Sequence, residues 1–121
     1  LVYQYLNGKP KVPCIREYIE KYPEYKQVFQ LSKDQLKPTG YVVDTFICVL
    51  WCFINTSSFE DAVCEAANLG GDADTIAAIT GGMAGVYYGY SAIPDRWKEK
   101  ILVKEQLTSI AKRMIKGNRK V

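Results

Sequence analysis

Two carboxylates and a hydroxyl stand close together at Asp72, Asp74 and Thr75, inside the stretch NLGGDADTIAAITGGMAGVYYGY of residues 68–90. Oxygen donors of this kind suit a hard divalent cation such as Mg2+. The backbone decides whether they can share one. Residues i and i+2 on a helix face different ways, so Asp72 and Asp74 diverge if both are helical. In a loop just ahead of a helix they can converge, and Gly70 and Gly71 permit the unusual dihedral angles such a loop needs. The pattern predicts that loop, with Asp74 or Thr75 capping a helix that runs to about Tyr90. The positive end of a helix opposes a cation, so two acids are needed to overcome it. The plainer alternative makes Asp74 a cap and Asp72 a loop residue with no further role.

Composition narrows the chemistry. The chain has no histidine, which removes any Ser-His or Cys-His arrangement within it. An EF-hand loop opening at Asp72 would need glycine at its sixth position, where Ala77 stands. The DxD of metal-dependent glycosyltransferases matches only as a tripeptide, and it would require a parallel sheet beside Asp72. Aspartyl phosphatases want a hydrophobic strand leading into the pair, and AANLGG is not one. Charge is segregated along the 121 residues, with net charge +3 overall. No Lys or Arg occurs between Lys37 and Arg96, a window that holds Asp44, Glu60, Asp61, Glu65, Asp72, Asp74 and Asp95. A middle with embedded carboxylates and no competing ammonium groups is what a cation site needs. A buried core that excludes long basic side chains gives the same pattern.

The elements that must position these groups read as helices. KPKVPCIREYIEKYPEY begins extended at Pro10 and Pro13, then forms a short helix with Ile15, Tyr18, Ile19 and Tyr22 on one face, stopped at Pro23. Residues 24–40 are mixed, with a break at Pro38 and Gly40. Val42–Ile54, VVDTFICVLWCFI, is too long for a typical strand and predicts a buried helix. Ser57 and Glu60 have capping-box spacing ahead of a helix that Gly70 would stop. Ile76, Ile79, Met83, Tyr87 and Tyr90 form one stripe of the next helix, and Ala77, Gly81, Ala84 and Tyr88 a second, mostly small one. Each interior glycine costs roughly 1 kcal/mol against alanine, which a closely approaching backbone could offset. Pro94 and Asp95 open a last helical region, with Trp97, Ile101 and Leu102 on one face. Leu107, Ile110, Ala111, Met114 and Ile115 continue the period to Gly117, and the basic KGNRK end frays into solvent.

With these motifs in hand, GYVVDTFICVLWCFINTSSFEDAVCEAANLGGDADTIAAITGGMAGVYYGYSAIPDRW resembles the C-terminal segment of the ADP-ribosylglycohydrolase family. The resemblance runs from Gly40 to Trp97, and NLGGDADTIAAITGGMAGVYYG is its most specific part. It implies an all-α, orthogonal multi-helix bundle that forms the C-terminal part of a larger fold. It implies a two-magnesium centre that cleaves the bond between ADP-ribose and a modified group, with an ADP-ribosylated substrate as partner. Carried across, Asp72, Asp74 and Thr75 are metal ligands, and Gly40 and Tyr41 lie near bound ADP-ribose. Asp44 reads as structural because it begins a buried helix. The family's N-terminal elements, a glycine-rich GDA element and a Thr-Asp-Asp cluster, have no counterpart in this chain. The main acid–base carboxylate is therefore expected outside it.

These readings treat residues 1–121 as one domain: a helical lead-in (1–39), the motif region (40–97) and a C-terminal helix with basic tail (98–121). The other functional reading is a non-catalytic helical module that binds ADP-ribose, a metal or a partner. A missing N-terminal segment or partner chain would complete the site, and apolar surface left bare by its absence would favour self-association. Nothing beyond charge marks a nucleic-acid surface, and no apolar run is long enough to span a membrane. Cys14, Cys48, Cys52 and Cys64 contain no CxxC pair and read as small buried hydrophobes in a reducing compartment, which implies a cytoplasmic location.

Overall fold

The computed structural model describes residues 1–100 and 104–119. All regular structure among them is helical: α1 Val2–Leu6, α2 Lys11–Lys21, α3 Val42–Ile54, α4 Phe59–Ala67, α5 Ala73–Tyr88, α6 Asp95–Lys98 and α7 Lys104–Arg119. Short 3₁₀ segments at Pro23–Phe29, Lys33–Gln35 and Tyr90–Ala92 join them. The fold is all-α, as the helical periodicity predicts. No described helix is long and apolar enough to cross a membrane.

α3 forms the centre. Val49, Leu50, Cys48, Cys52 and Phe53 are fully enclosed. Burying each large apolar side chain of this set stabilises the fold by about 1.5–3 kcal/mol. α5 packs chiefly on α4 and α3. It turns Ile76, Thr80, Met83 and Ala84 inward, while Ile79 is 41% exposed. The buried stripe is thus set by Ile76, Thr80 and Met83, not by Ile79. The Thr80 hydroxyl is buried without a hydrogen-bond partner among the described residues. The α5 glycines differ from the expected backbone contact. A Cβ on Gly81 would touch the Val63 side chain at 3.7 Å, and one on Gly85 would touch Phe59 at 3.8 Å. α4 therefore reaches α5 through side chains that fill the space glycine leaves. A Cβ on Gly82 would meet nothing within 4 Å among the described residues.

Several boundaries shift for identifiable reasons. Pro13 lies in the first turn of α2, where its missing N–H leaves no bond unmade. Ser58, not Ser57, caps α4: its hydroxyl accepts the Asp61 N–H at 3.1 Å. Glu60, freed from capping, pairs with Arg96. α4 ends at Ala67 with Asn68 as C-cap, short of Gly70. The last helical region is divided into α6 and α7, and Ile101 and Leu102 lie outside the described residues. α7 continues past Gly117 to Arg119 and carries Leu107, Ile110, Met114 and Ile115 largely exposed.

All four cysteines are free, with Cys14, Cys48 and Cys52 buried. Burial pushes the Cys52 thiol up from 9.0 to about 12. Burial raises Cys48 too. A thiol reacts as its thiolate, so these sulfurs are inert near neutral pH. Thiol labelling of the native chain at pH 8 should modify Cys64 first and leave the other three until the protein is unfolded. Rapid labelling of Cys52 in native conditions would contradict its burial.

Candidate metal centre

Two loops meet ahead of α3 and α5. Gly70 and Gly71 both adopt left-handed backbone angles, φ +79° and +54°, as a glycine hinge requires. At Gly71 the requirement is also steric, because a Cβ there would lie 2.2 Å from the Pro38 carbonyl oxygen. That closeness lets the Asp72 N–H donate to Pro38 C=O at 2.8 Å. The segment before α3 and the segment before α5 are thus joined backbone to backbone.

Asp72 is the N-cap of α5, and its carbonyl accepts the Ile76 N–H at 3.2 Å. The helix therefore begins at Ala73. Asp74 and Thr75 occupy its first turn and do not stand in the preceding loop. Thr75 Oγ1 donates to Asp72 Oδ1 at 3.0 Å, so these two side chains converge. Asp74 is exposed and makes no ion pair or side-chain hydrogen bond among the described residues. The Asp72 side chain caps no helix amide. Its Oδ2 lies 3.8 Å from where a Cβ on Gly40 would stand. Gly40 has no left-handed angle, and a side chain there would make only an ordinary contact with Asp72.

Tyr41 is the N-cap of α3 and is 63% exposed. Among the described residues no aromatic ring stacks on it. Asp44 accepts a hydrogen bond from Thr39 Oγ1 at 2.9 Å. Thr39 also accepts the Tyr41 N–H at 3.2 Å through the same hydroxyl. Sequence pattern does not mark Thr39, because a threonine five residues from an aspartate is not a capping-box spacing.

The donor types fit a hard cation: two carboxylates and a hydroxyl, all oxygen, at a place where neither acid is paired with a basic side chain. The number of donors is smaller than an octahedral shell needs. Among the described residues no three His, Cys, Asp or Glu side chains cluster to hold a metal.

A sequence profile of the ADP-ribosylglycohydrolase family matches residues 2–121. The chain belongs to the ADP-ribosylglycohydrolase family. It is 43% identical over 118 residues to the ADP-ribosylarginine hydrolase Tri1 of Pseudomonas putida, covering 90% of this chain and 31% of that protein. To the Tri1 of Serratia proteamaculans it is 43% identical over 91 residues, covering 75% of this chain and 24% of the relative. The ADP-ribosyl-[dinitrogen reductase] glycohydrolase of Rhodospirillum rubrum is 31% identical over 104 residues, 86% of this chain and 35% of that protein. The chain thus spans between about a quarter and a third of the length of these ADP-ribosylglycohydrolase relatives.

Proposed function

We propose that this chain contributes part of the active site of a Mg2+-dependent ADP-ribosylglycohydrolase, which hydrolyses the glycosidic bond between ADP-ribose and a modified group. The observation that carries the reading is the Asp72–Thr75 pair held against Gly40 by the Pro38–Asp72 bond. It sets family-motif oxygens beside the segment expected to meet ADP-ribose. The printed names of the Tri1 relatives make ADP-ribosylarginine the first substrate to try.

In this reading Asp72, Asp74 and Thr75 hold magnesium. Once bound, Mg2+ supplies positive charge that orients ribose hydroxyls and helps activate water. Asp72 accepts the Thr75 hydroxyl through Oδ1 and holds Oδ2 near Gly40. Tyr41 offers an exposed aromatic face for a base or ribose. The remaining ligands and the acid–base carboxylate come from the rest of a family-length chain or from a partner chain. Exposed Tyr41, Val42 and Ile79, with the apolar side of α7, give that remainder, or a second copy, a surface to pack on. The small donor set also favours a second reading, a module that binds ADP-ribose without turning it over.

The test is titration of Mg2+ and ADP-ribose into the chain, with and without the Asp72→Asn, Asp74→Asn double change. Removing two charged ligands should weaken Mg2+ binding by at least about tenfold. Equal Mg2+ affinity in both forms would count against the ligand assignment. Hydrolysis of an ADP-ribosylated arginine peptide should arise when the upstream segment of a family member is supplied. Its absence then favours the non-catalytic module.

A further inference from the structure

Asp44 begins a buried helix, yet its carboxylate does not cap that helix. The N-cap residue of α3, Tyr41, has no side-chain cap bond either. Asp44 Oδ2 instead accepts the Thr39 hydroxyl proton at 2.9 Å. A hydroxyl has one proton to give. Once it is committed to Asp44, the Thr39 oxygen is left to accept, and the Tyr41 N–H reaches it at 3.2 Å. The bonds around this hydroxyl continue on both sides. Thr45 Oγ1 donates to Thr39 C=O at 2.8 Å, and the Thr45 N–H donates to Tyr41 C=O at 2.9 Å. Thr39 and Thr45 thereby fix the backbone of Tyr41 at its N–H and its carbonyl. One residue earlier, Pro38 C=O receives the Asp72 N–H.

The ring of Tyr41 is free while its backbone is pinned from two directions. That is how a chain aims an exposed side chain without packing it. We propose that Thr39, held by Asp44, is a positioning residue that sets the direction of Tyr41 relative to the Asp72–Thr75 oxygens. The inference rests on the reading of Tyr41 as an ADP-ribose contact and adds the device that presents it. Thr39 and Asp44 touch no ligand; they act through the Tyr41 backbone.

Four variants of the whole chain separate positioning from simple stability. Thr39→Val removes both the donor and the acceptor. Thr39→Ser keeps both. Asp44→Ala removes the acceptor for the hydroxyl proton, and Asp44→Asn retains a carbonyl oxygen for it. ADP-ribose affinity is measured by calorimetry at fixed Mg2+, with Mg2+ affinity and thermal midpoint measured alongside. Thr39→Val and Asp44→Ala should weaken ADP-ribose binding about five- to tenfold, as expected for loss of one pre-organising hydrogen bond. Thr39→Ser and Asp44→Asn should stay within about twofold, and Mg2+ affinity should be unchanged in all four. Wild-type ADP-ribose affinity in Thr39→Val would overturn the proposal. So would a loss in all four variants that follows their thermal midpoints.

Amide hydrogen exchange at Tyr41 gives a readout that needs no ligand. Its rate should rise about tenfold in Thr39→Val and not in Thr39→Ser. A wild-type chain that binds no ADP-ribose would sink the ligand reading alone. The exchange rate then decides the positioning by itself, and an unchanged rate in Thr39→Val would overturn it.

Discussion

Gly71→Ala should lower stability by about 3 kcal/mol, while Gly70→Ala next to it should cost only about 1 kcal/mol. Both glycines have positive φ, so each pays the left-handed penalty of an L side chain. They differ in what a Cβ would meet. Among the described residues nothing lies within 4 Å of a Cβ at Gly70, whereas at Gly71 the Pro38 carbonyl oxygen stands 2.2 Å away. That oxygen is backbone and cannot swing aside like the tip of a side chain. Either the 38–40 segment or the 70–72 loop must move, and the Asp72 N–H loses its acceptor. For a domain of this size the difference from wild type is roughly 10 °C in thermal midpoint. Gly82 is the control of opposite sign. It is helical, open to space and free of positive φ, so Gly82→Ala should raise stability by about 0.5–1 kcal/mol. Chemical denaturation of the three variants checks all of this, and equal losses at Gly70 and Gly71 would remove the steric argument. Gly71→Ala should also displace Asp72, so Mg2+ binding should weaken more than in Gly70→Ala.

Local pattern made some of these features legible and left others hidden. Val42–Ile54 matches the helix predicted from its length, because a largely apolar segment interrupted only by Asp44 and Thr45 runs well past a typical strand. The glycine hinge was legible because few residues other than glycine adopt positive φ. The sequence pattern places the start of α5 two or three residues later than it lies. Asp72, Asp74 and Thr75 are all good caps, and only the Asp72 carbonyl bond to Ile76 N–H decides between them. Ser57 and Ser58 present the same ambiguity, with Glu60 and Asp61 each three residues on. Ile76 and Met83 of the predicted stripe are buried, whereas Ile79 of the same stripe is 41% exposed, so spacing alone does not tell which stripe members face the core. At the site, the motif pointed to Asp72 and Thr75, which do meet. It could not reveal that Asp74, exposed on the first turn, makes no side-chain hydrogen bond or ion pair among the described residues. Nor could it reveal that the Pro38 carbonyl ties the second loop to the first by accepting the Asp72 N–H, since that bond depends on tertiary approach.

Lys11→Met should destabilise the protein by about 3 kcal/mol, a further effect no local pattern would suggest. Lys11 lies in the first turn of α2, and its ammonium reaches partners 42, 45 and 77 residues away. It donates to Phe53 C=O at 2.8 Å, to Thr56 C=O at 2.7 Å and to the Tyr88 hydroxyl at 3.0 Å. All three of its protons are used. Phe53 C=O is among the last carbonyls of α3, which have no partner within the helix, and a cation also suits that negative end. The charge lies 5.0 Å from the centre of the Phe53 ring, 5.5 Å from Tyr88 and 5.8 Å from Tyr87. Methionine keeps much of the stem's volume and removes the charge and every donor. Thr56 C=O retains the Tyr88 hydroxyl at 3.4 Å, but Phe53 C=O loses the lysine without a substitute. The backbone of Lys11 is engaged as well, since its carbonyl accepts the Tyr5 hydroxyl at 3.0 Å. One side chain therefore joins α2 to the C-terminal ends of α3 and α5. The N-terminal ends of the same two helices carry Tyr41 and the Asp72–Thr75 pair, joined there by the Pro38–Asp72 bond. The helices are clamped at both ends, and the site lies at one of them. Lys11→Met should accordingly cost stability heavily while leaving Mg2+ affinity of the folded protein nearly intact, the reverse of the Asp72→Asn, Asp74→Asn change. Denaturation and Mg2+ titration of the two variants side by side test that separation. A Lys11→Met protein within about 1 kcal/mol of wild type would show that the far clamp carries little of the fold.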